Sequence, residues 1–97
     1  MAEYRLSVEA DRDIYEIAKY TLDHWSETQA QRYVQGLEAL FQRLCDNPRL
    51  GKTSDDIRPG CFRHLYRSHM VFFKRSRESG ILIVRVLHAQ MDFVRHL

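Results

Sequence analysis

With 97 residues, 44% of them apolar, the chain is bounded to one small domain over 1–97 with a modest core, and its composition excludes a disordered polymer. No apolar stretch nears the roughly 20 residues of a bilayer-spanning helix, and no basic-then-apolar leader is visible at the start, so a cytoplasmic protein is expected. The net charge of +2 hides a division: residues 1–48 hold five Lys/Arg and nine Asp/Glu, residues 49–97 ten and four, so the second half offers a basic surface to nucleic acid or an acidic protein.

Residues 4–8 alternate apolar and polar, the pattern of a strand. Ser7 is placed to cap a following helix, with Glu9, Asp11 and Asp13 setting negative charge near its positive end. The inner stripe of that helix is expected at Ala10, Ile14, Ile17, Ala18, Thr21 and Trp25. Ser26-Glu27-Thr28-Gln29 has the form of a capping box and starts a second helix, whose stripe is Ala30, Tyr33, Val34, Leu37, Leu40, Phe41 and Leu44. Asn47-Pro48 stops it, because proline disfavours a helical conformation in the residue before it. The short connection implies an antiparallel helical hairpin.

Residues 48–60, with two prolines and two glycines, read as a loop. Three β runs follow at 61–67, 69–75 and 81–88, joined by a tight connection at Arg67-Ser68-His69 and by a hairpin turn at Arg77-Glu78-Ser79-Gly80. The last run is nearly all apolar, which predicts a central strand covered on both faces. Residues 90–97 read as a short helix or tail. The expected order is β-α-α-β-β-β, an α+β fold. Its sheet is expected to be antiparallel, with the first strand beside the last, the helical hairpin on one face and the other face partly open.

Cys45 and Cys61 stand alone in different elements without metal spacing, as buried thiols do. His64, His69 and His88 show no HxH or HExxH spacing, so no metal or other cofactor is expected. The chemistry that remains is arginine with histidine. A ribonuclease acting by 2′-hydroxyl attack needs a base, an acid and cations for the phosphorane. Arg63, Arg67, Arg85 and His88, with Tyr66, would supply these if they converged on the open face. The competing reading is structural: Arg85 pairs with an acidic helix residue, and His88 is a strand-end histidine with a backbone partner. Phe62, Tyr66, Phe72 and Phe73 are likewise core residues at strand spacing or stacking platforms for bases.

Several segments, in order, carry a family resemblance. They are Tyr4-Arg5-Leu6-Ser7 with Ala10 and Asp13-Ile14, and Trp25 with Gln29-Ala30 and Tyr33. Asn47-Pro48 with Gly51, Ile57-Arg58-Pro59-Gly60 and Ser68-His69-Met70-Val71-Phe72-Phe73 follow. Arg85-Val86-Leu87-His88 with Met91-Asp92 completes the set. Together they resemble the RelE/ParE superfamily of bacterial toxins from type II toxin–antitoxin modules, most closely the ParE branch. The resemblance implies the fold above and a toxin that inhibits DNA gyrase without catalytic residues of its own. It implies a cognate ParD-like antitoxin in a hetero-oligomer, and no membrane or sequence-specific DNA contact by this chain. An acidic, apolar antitoxin segment would suit the basic half and the groove between helices and sheet. The alternative is the RelE branch, ribosome-dependent mRNA endoribonucleases, with Arg63 and Arg85 on the phosphate and His88 as acid or base. Two departures favour the ParE branch: no tyrosine follows His88, and residues 49–58 hold one lysine where RelE-type enzymes are richer. A third reading is a non-toxic binding module. The residues expected to touch target or antitoxin are Arg58, Arg63, Arg67, Arg85, His88 and Phe93, the last in an exposed tail with Val94 and Leu97.

Overall fold

A computed structural model describes residues 3–76 and 80–97, the side chain of Pro48 excepted. Among these, β1 (Tyr4–Leu6) leads into a helical hairpin of α1 (Val8–His24) and α2 (Glu27–Asp46). A 3-10 turn at Pro48–Leu50 precedes β2 (Lys52–Thr53), β3 (Phe62–Tyr66), β4 (His69–Arg75) and β5 (Ile81–His88), and α3 (Phe93–His96) closes the chain. The strands form one five-stranded sheet in the order β1-β5-β4-β3-β2.

Both helix starts are set by local chemistry. Ser7 Oγ accepts the Ala10 N–H at 2.9 Å and Ser26 Oγ accepts the Gln29 N–H at 3.1 Å, each satisfying a donor the helix leaves unpaired. Asn47 leaves α2 with φ −141° and ψ 81°, outside the helical region that the following proline disfavours. The expected stripe of α2 is buried at Ala30, Leu37, Leu40, Phe41 and Leu44, with Tyr33 and Val34 half-buried. It packs with Ala10 and Ile17 of α1 against Val71, Phe73, Ile81, Ile83 and Val86 of the sheet. Trp25 departs from its expected place: it is 70% exposed, because α1 ends at His24 and its backbone has turned out of the helix. Cys45 and Cys61 are buried free thiols, and burial pushes both upward in pKa.

The sheet differs from expectation in one strand direction. β1 lies beside β5 as predicted, but parallel to it, with Tyr4, Arg5 and Leu6 opposite Ile81, Leu82 and Ile83. The other pairings are antiparallel. The reason lies in the segment read as a loop. β2 pairs Lys52 with Arg63 and Thr53 with Phe62, adding one reversal of chain direction before β3 and turning every later strand over. Two residues are too few for any alternation to register. β5 is an inner strand as expected, buried on both faces. A bulge opposite Phe72/Phe73 leaves Val84 without a cross-strand partner. It exchanges the faces: Ile81 and Ile83 turn to the helices before it, and Val86 after it.

The second face is less open than expected. Cys61, Phe72, Val84 and Leu87 form a small core there under Ile57, Met70, Phe93 and Leu97. Phe93 meets Phe72 edge-on with centroids 5.0 Å apart, so this part of the tail is docked rather than free; Val94 remains 72% exposed. The turn predicted at 77–80 falls, Gly80 apart, outside the described residues.

Gly80 has φ +73° and sits against β1, where a Cβ would collide with the Glu3 carbonyl that accepts the Ile81 N–H. Gly80→Ala is expected to cost about 2–3 kcal/mol, from left-handed strain plus one lost sheet bond. Urea unfolding of the two proteins measures it.

Candidate functional site

Beyond Ile83 the outer edge of β5 has no strand beside it, and α1 supplies the missing partners. Ser7 donates its N–H to the Ile83 carbonyl (2.9 Å) and its hydroxyl to the Val84 carbonyl (2.7 Å). Asp13 Oδ2 accepts the Val86 N–H at 2.9 Å and Arg85 Nε at 2.8 Å, while Oδ1 accepts Nη2 at 2.9 Å. Arg85 is thus held in a two-pronged pair with Asp13, both side chains largely buried, and its Nη1 donates to the His96 carbonyl. The hydrogen bond to Asp13 raises the guanidinium above its ordinary pKa. This is the acidic helix partner that the structural reading of Arg85 required.

Next to this pair lies a groove of about 770 Å3 between α1, the start of α2, the β3–β4 turn and the end of β5. Trp25, Tyr20, Tyr33, Arg32, Arg67 and His69 line it, with His88 and Met91 at the end of β5. Tyr33 Oη lies 2.6 Å from His69 Nδ1 and 3.5 Å from the Tyr66 carbonyl. The phenol has one proton for these two contacts: given to Nδ1 it leaves the imidazole proton on Nε2, and given to the Tyr66 carbonyl it makes Nδ1–H the donor to Tyr33 Oη. Burial raises the Tyr33 pKa, opposed by a hydrogen bond from the Ser68 backbone. Burial lowers that of His69, reinforced by His88, whose ring stands edge-on at 5.4 Å, and opposed by Asp13. His88 is exposed and accepts the Gln90 N–H at 3.2 Å, the strand-end role with a backbone partner.

The candidate nuclease set converges only in part: Arg85 and His88 line the groove together with Arg67, while Arg63 and Tyr66 lie outside its lining. Arg63 shares its face with Phe72, away from the helices. Tyr66 lies on the helix side, edge-on to Tyr33 at 5.2 Å. Arg85 is committed to Asp13, and His88 meets His69. Of the residues expected to touch a partner, Arg67 is exposed in the β3–β4 turn and Arg58 is half-buried, with Nη1 3.5 Å from the Leu97 carbonyl. Sequence reasoning did not single out the Tyr33–His69 pair. Its one signal was a tyrosine in an otherwise apolar stripe, a side chain whose hydroxyl needs a partner when buried.

The family model describing the ParE toxin of type II toxin–antitoxin systems matches residues 4–93. The chain belongs to the ParE toxin family. It is 38% identical to toxin ParE1 of Mycobacterium tuberculosis over 99% of this chain and 98% of that one. It is 33% identical to toxin ParE1 of Caulobacter vibrioides over 100% and 99%. Toxin ParE of Escherichia coli is 30% identical over 100% and 94%. Among solved structures, a chain of the chromosomal ParDE toxin–antitoxin system from P. aeruginosa has the same fold, with TM-score 0.78 at 18% identity over 93% of this chain and 98% of that one. A chain of the toxin–antitoxin complex RelBE2 from Mycobacterium tuberculosis follows, with TM-score 0.64 at 21% identity over 90% and 96%. The ParE fold thus accommodates a clamp of Asp13 and Arg85 and a histidine-lined groove beside it.

Removing the carboxylate strands Arg85 and the Val86 N–H together. Asp13→Ala is expected to cost about 3–5 kcal/mol, read from denaturant unfolding. A second test concerns His69. Its folded pKa lies below the unfolded value of 6.5, so between the two the unfolded chain binds more protons. Stability from this residue is therefore full above 6.5 and is lost as pH falls through that window. NMR titration should place the His69 midpoint below 6.5, and His69→Phe should flatten the acid side of the thermal-midpoint curve.

Proposed function

We propose that this ParE-family toxin inhibits DNA gyrase in the cytoplasm as a protein inhibitor without catalytic residues, and that a cognate ParD-like antitoxin neutralises it. The observation that carries this reading is the division of the nuclease candidates. General acid–base catalysis needs its groups within hydrogen-bond reach of one reacting centre. Arg63 and Tyr66 lie on opposite faces of the sheet, and Arg85 is occupied by Asp13. The ParE relationship supports the same branch, as the name of the P. aeruginosa system supports an antitoxin partner.

The outer side of α1 suits that partner. Val8, Tyr15 and Leu22, seven residues apart, are 73%, 65% and 51% exposed on a helix whose other stripe is buried. Exposed Arg12 and half-buried Ala18 lie between them, with exposed Lys19. An amphipathic acidic segment that folds on binding would cover the apolar stripe and pair with Arg12 and Lys19. Arg58, Arg63, Arg67 and His88 remain for the target, with Arg85 and Phe93 holding the tail from beneath.

Purified toxin is expected to inhibit gyrase supercoiling at micromolar concentration, and brief expression to induce the DNA-damage response rather than transcript cleavage. His88→Ala should stay toxic. A folded His88→Ala variant without toxicity, together with cleaved transcripts, would transfer the protein to the endoribonuclease reading.

A further inference from the structure

Two features bordering the groove lower stability without serving the fold. Arg67 holds a left-handed φ of +52° in the two-residue β3–β4 turn, where glycine or asparagine would sit without strain. Trp25 ends α1 with 70% of its surface in water and lies outside both apolar clusters. Both line the same groove, with Arg32 and, below them, the Tyr33–His69 pair. A strained turn and an exposed indole that share one cavity point to a ligand, since a fold retains such costs where a site needs them.

The chemistry of the lining selects the ligand class. Trp25 offers flat aromatic surface to the groove, the element that stacks any nucleobase, while the Tyr20 ring is stacked on His24 at 4.0 Å. Arg32 and Arg67 are exposed guanidiniums that pair with no carboxylate among the described residues, Arg67 standing 5.8 Å over the Tyr66 ring, unlike Arg85, whose charge Asp13 meets. Tyr33 Oη, 2.6 Å from His69 Nδ1, holds that ring in the groove wall. Glu16 is the one carboxylate of the lining not engaged by Arg85, so the cations are in excess. The volume of about 770 Å3 lies within the range of small-ligand sites.

We propose that this groove binds a 5′-phosphorylated nucleotide unit, with the base stacked on Trp25 and the phosphate held by Arg67 and Arg32. The site is separate from the α1 stripe assigned to the antitoxin and does not depend on gyrase being the target. The unit is either a free nucleotide or the 5′ end of a single strand, which present the same base and phosphate.

Trp25 is the chain's single tryptophan, so its fluorescence reports on this groove alone. The full chain is titrated with 5′-AMP, adenosine, inorganic phosphate and a 5′-phosphorylated oligoadenylate. Saturable quenching by AMP, at a dissociation constant at least about tenfold below those of adenosine and phosphate, supports the site. A further gain with the oligoadenylate assigns the natural source to a strand end, and no gain assigns it to a free nucleotide. Arg67→Gly separates binding from folding: it relieves the strained turn and should raise the thermal midpoint while weakening AMP about tenfold by calorimetry. The proposal is overturned if neither AMP nor the oligoadenylate quenches saturably up to about 10 mM, or if Arg67→Gly leaves AMP affinity unchanged. Quenching by an acidic apolar peptide but not by nucleotides would give the groove to a protein segment and overturn it equally.

Discussion

An inner strand whose outer edge is only half covered sets the terms for this molecule. β1 is three residues long and pairs β5 only as far as Ile83, yet β5 runs on to His88. Every backbone group past that point must find another partner or lose free energy on burial. The first turns of α1 provide them: Ser7 by its N–H and its hydroxyl, Asp13 by its carboxylate. Ser7 Oγ also caps α1, so one side chain starts the helix and ties it to the strand edge. Position 13 must therefore be acidic and must lie one turn and a half into the helix, where it can receive Val86 and Arg85 at once.

The parts of the fold legible in the sequence are those fixed by neighbours in the chain. Ser7, Ser26 and Asn47-Pro48 end or begin helices by contacts within three or four residues, and each does so here. The stripe of α2 is legible because its core lies on one side along its whole length. What escaped is non-local. β2 exists only because β3 is beside it, and its two residues reverse the direction of the whole later sheet. The bulge at Val84 depends on the register with β4 and breaks the alternation on which a strand's faces are read. Trp25 continues a helical spacing past the residue where the helix stops.

At the candidate site the alternation of strand residues sets its own limit. Arg63 and Tyr66 are three residues apart on one strand, and an odd separation puts side chains on opposite faces. A cluster drawing on both was never available to a regular strand. Arg63 and Phe72 share the far face, while Tyr66 joins Tyr33 beneath the helices. Arg85 was read in two ways, as a catalytic cation and as a structural partner. An arginine inside an apolar run is desolvated by its neighbours, and that favours a fixed carboxylate over a free role. The clamp with Asp13 realises the second reading.

Arg85 also joins two parts of the molecule, α1 and the tail. Its Nε and Nη2 bind α1 through Asp13, and its Nη1 binds the carbonyl of His96 in the tail. α3 has four residues, too few for a helix to persist by its own hydrogen bonds. Its order comes from the Asp92 cap, the Phe93–Phe72 contact, Leu97 in the second core, and carbonyls that face Arg85 and Arg58. Energies of groups sharing one guanidinium do not add, so the docking of the tail and the seating of α1 on β5 belong to one cooperative unit. A partner that drew the tail away would leave Arg85 one acceptor short and uncover Cys61, Phe72, Val84 and Leu87. The tail is therefore a structural layer of the sheet, with Val94 turned to solvent.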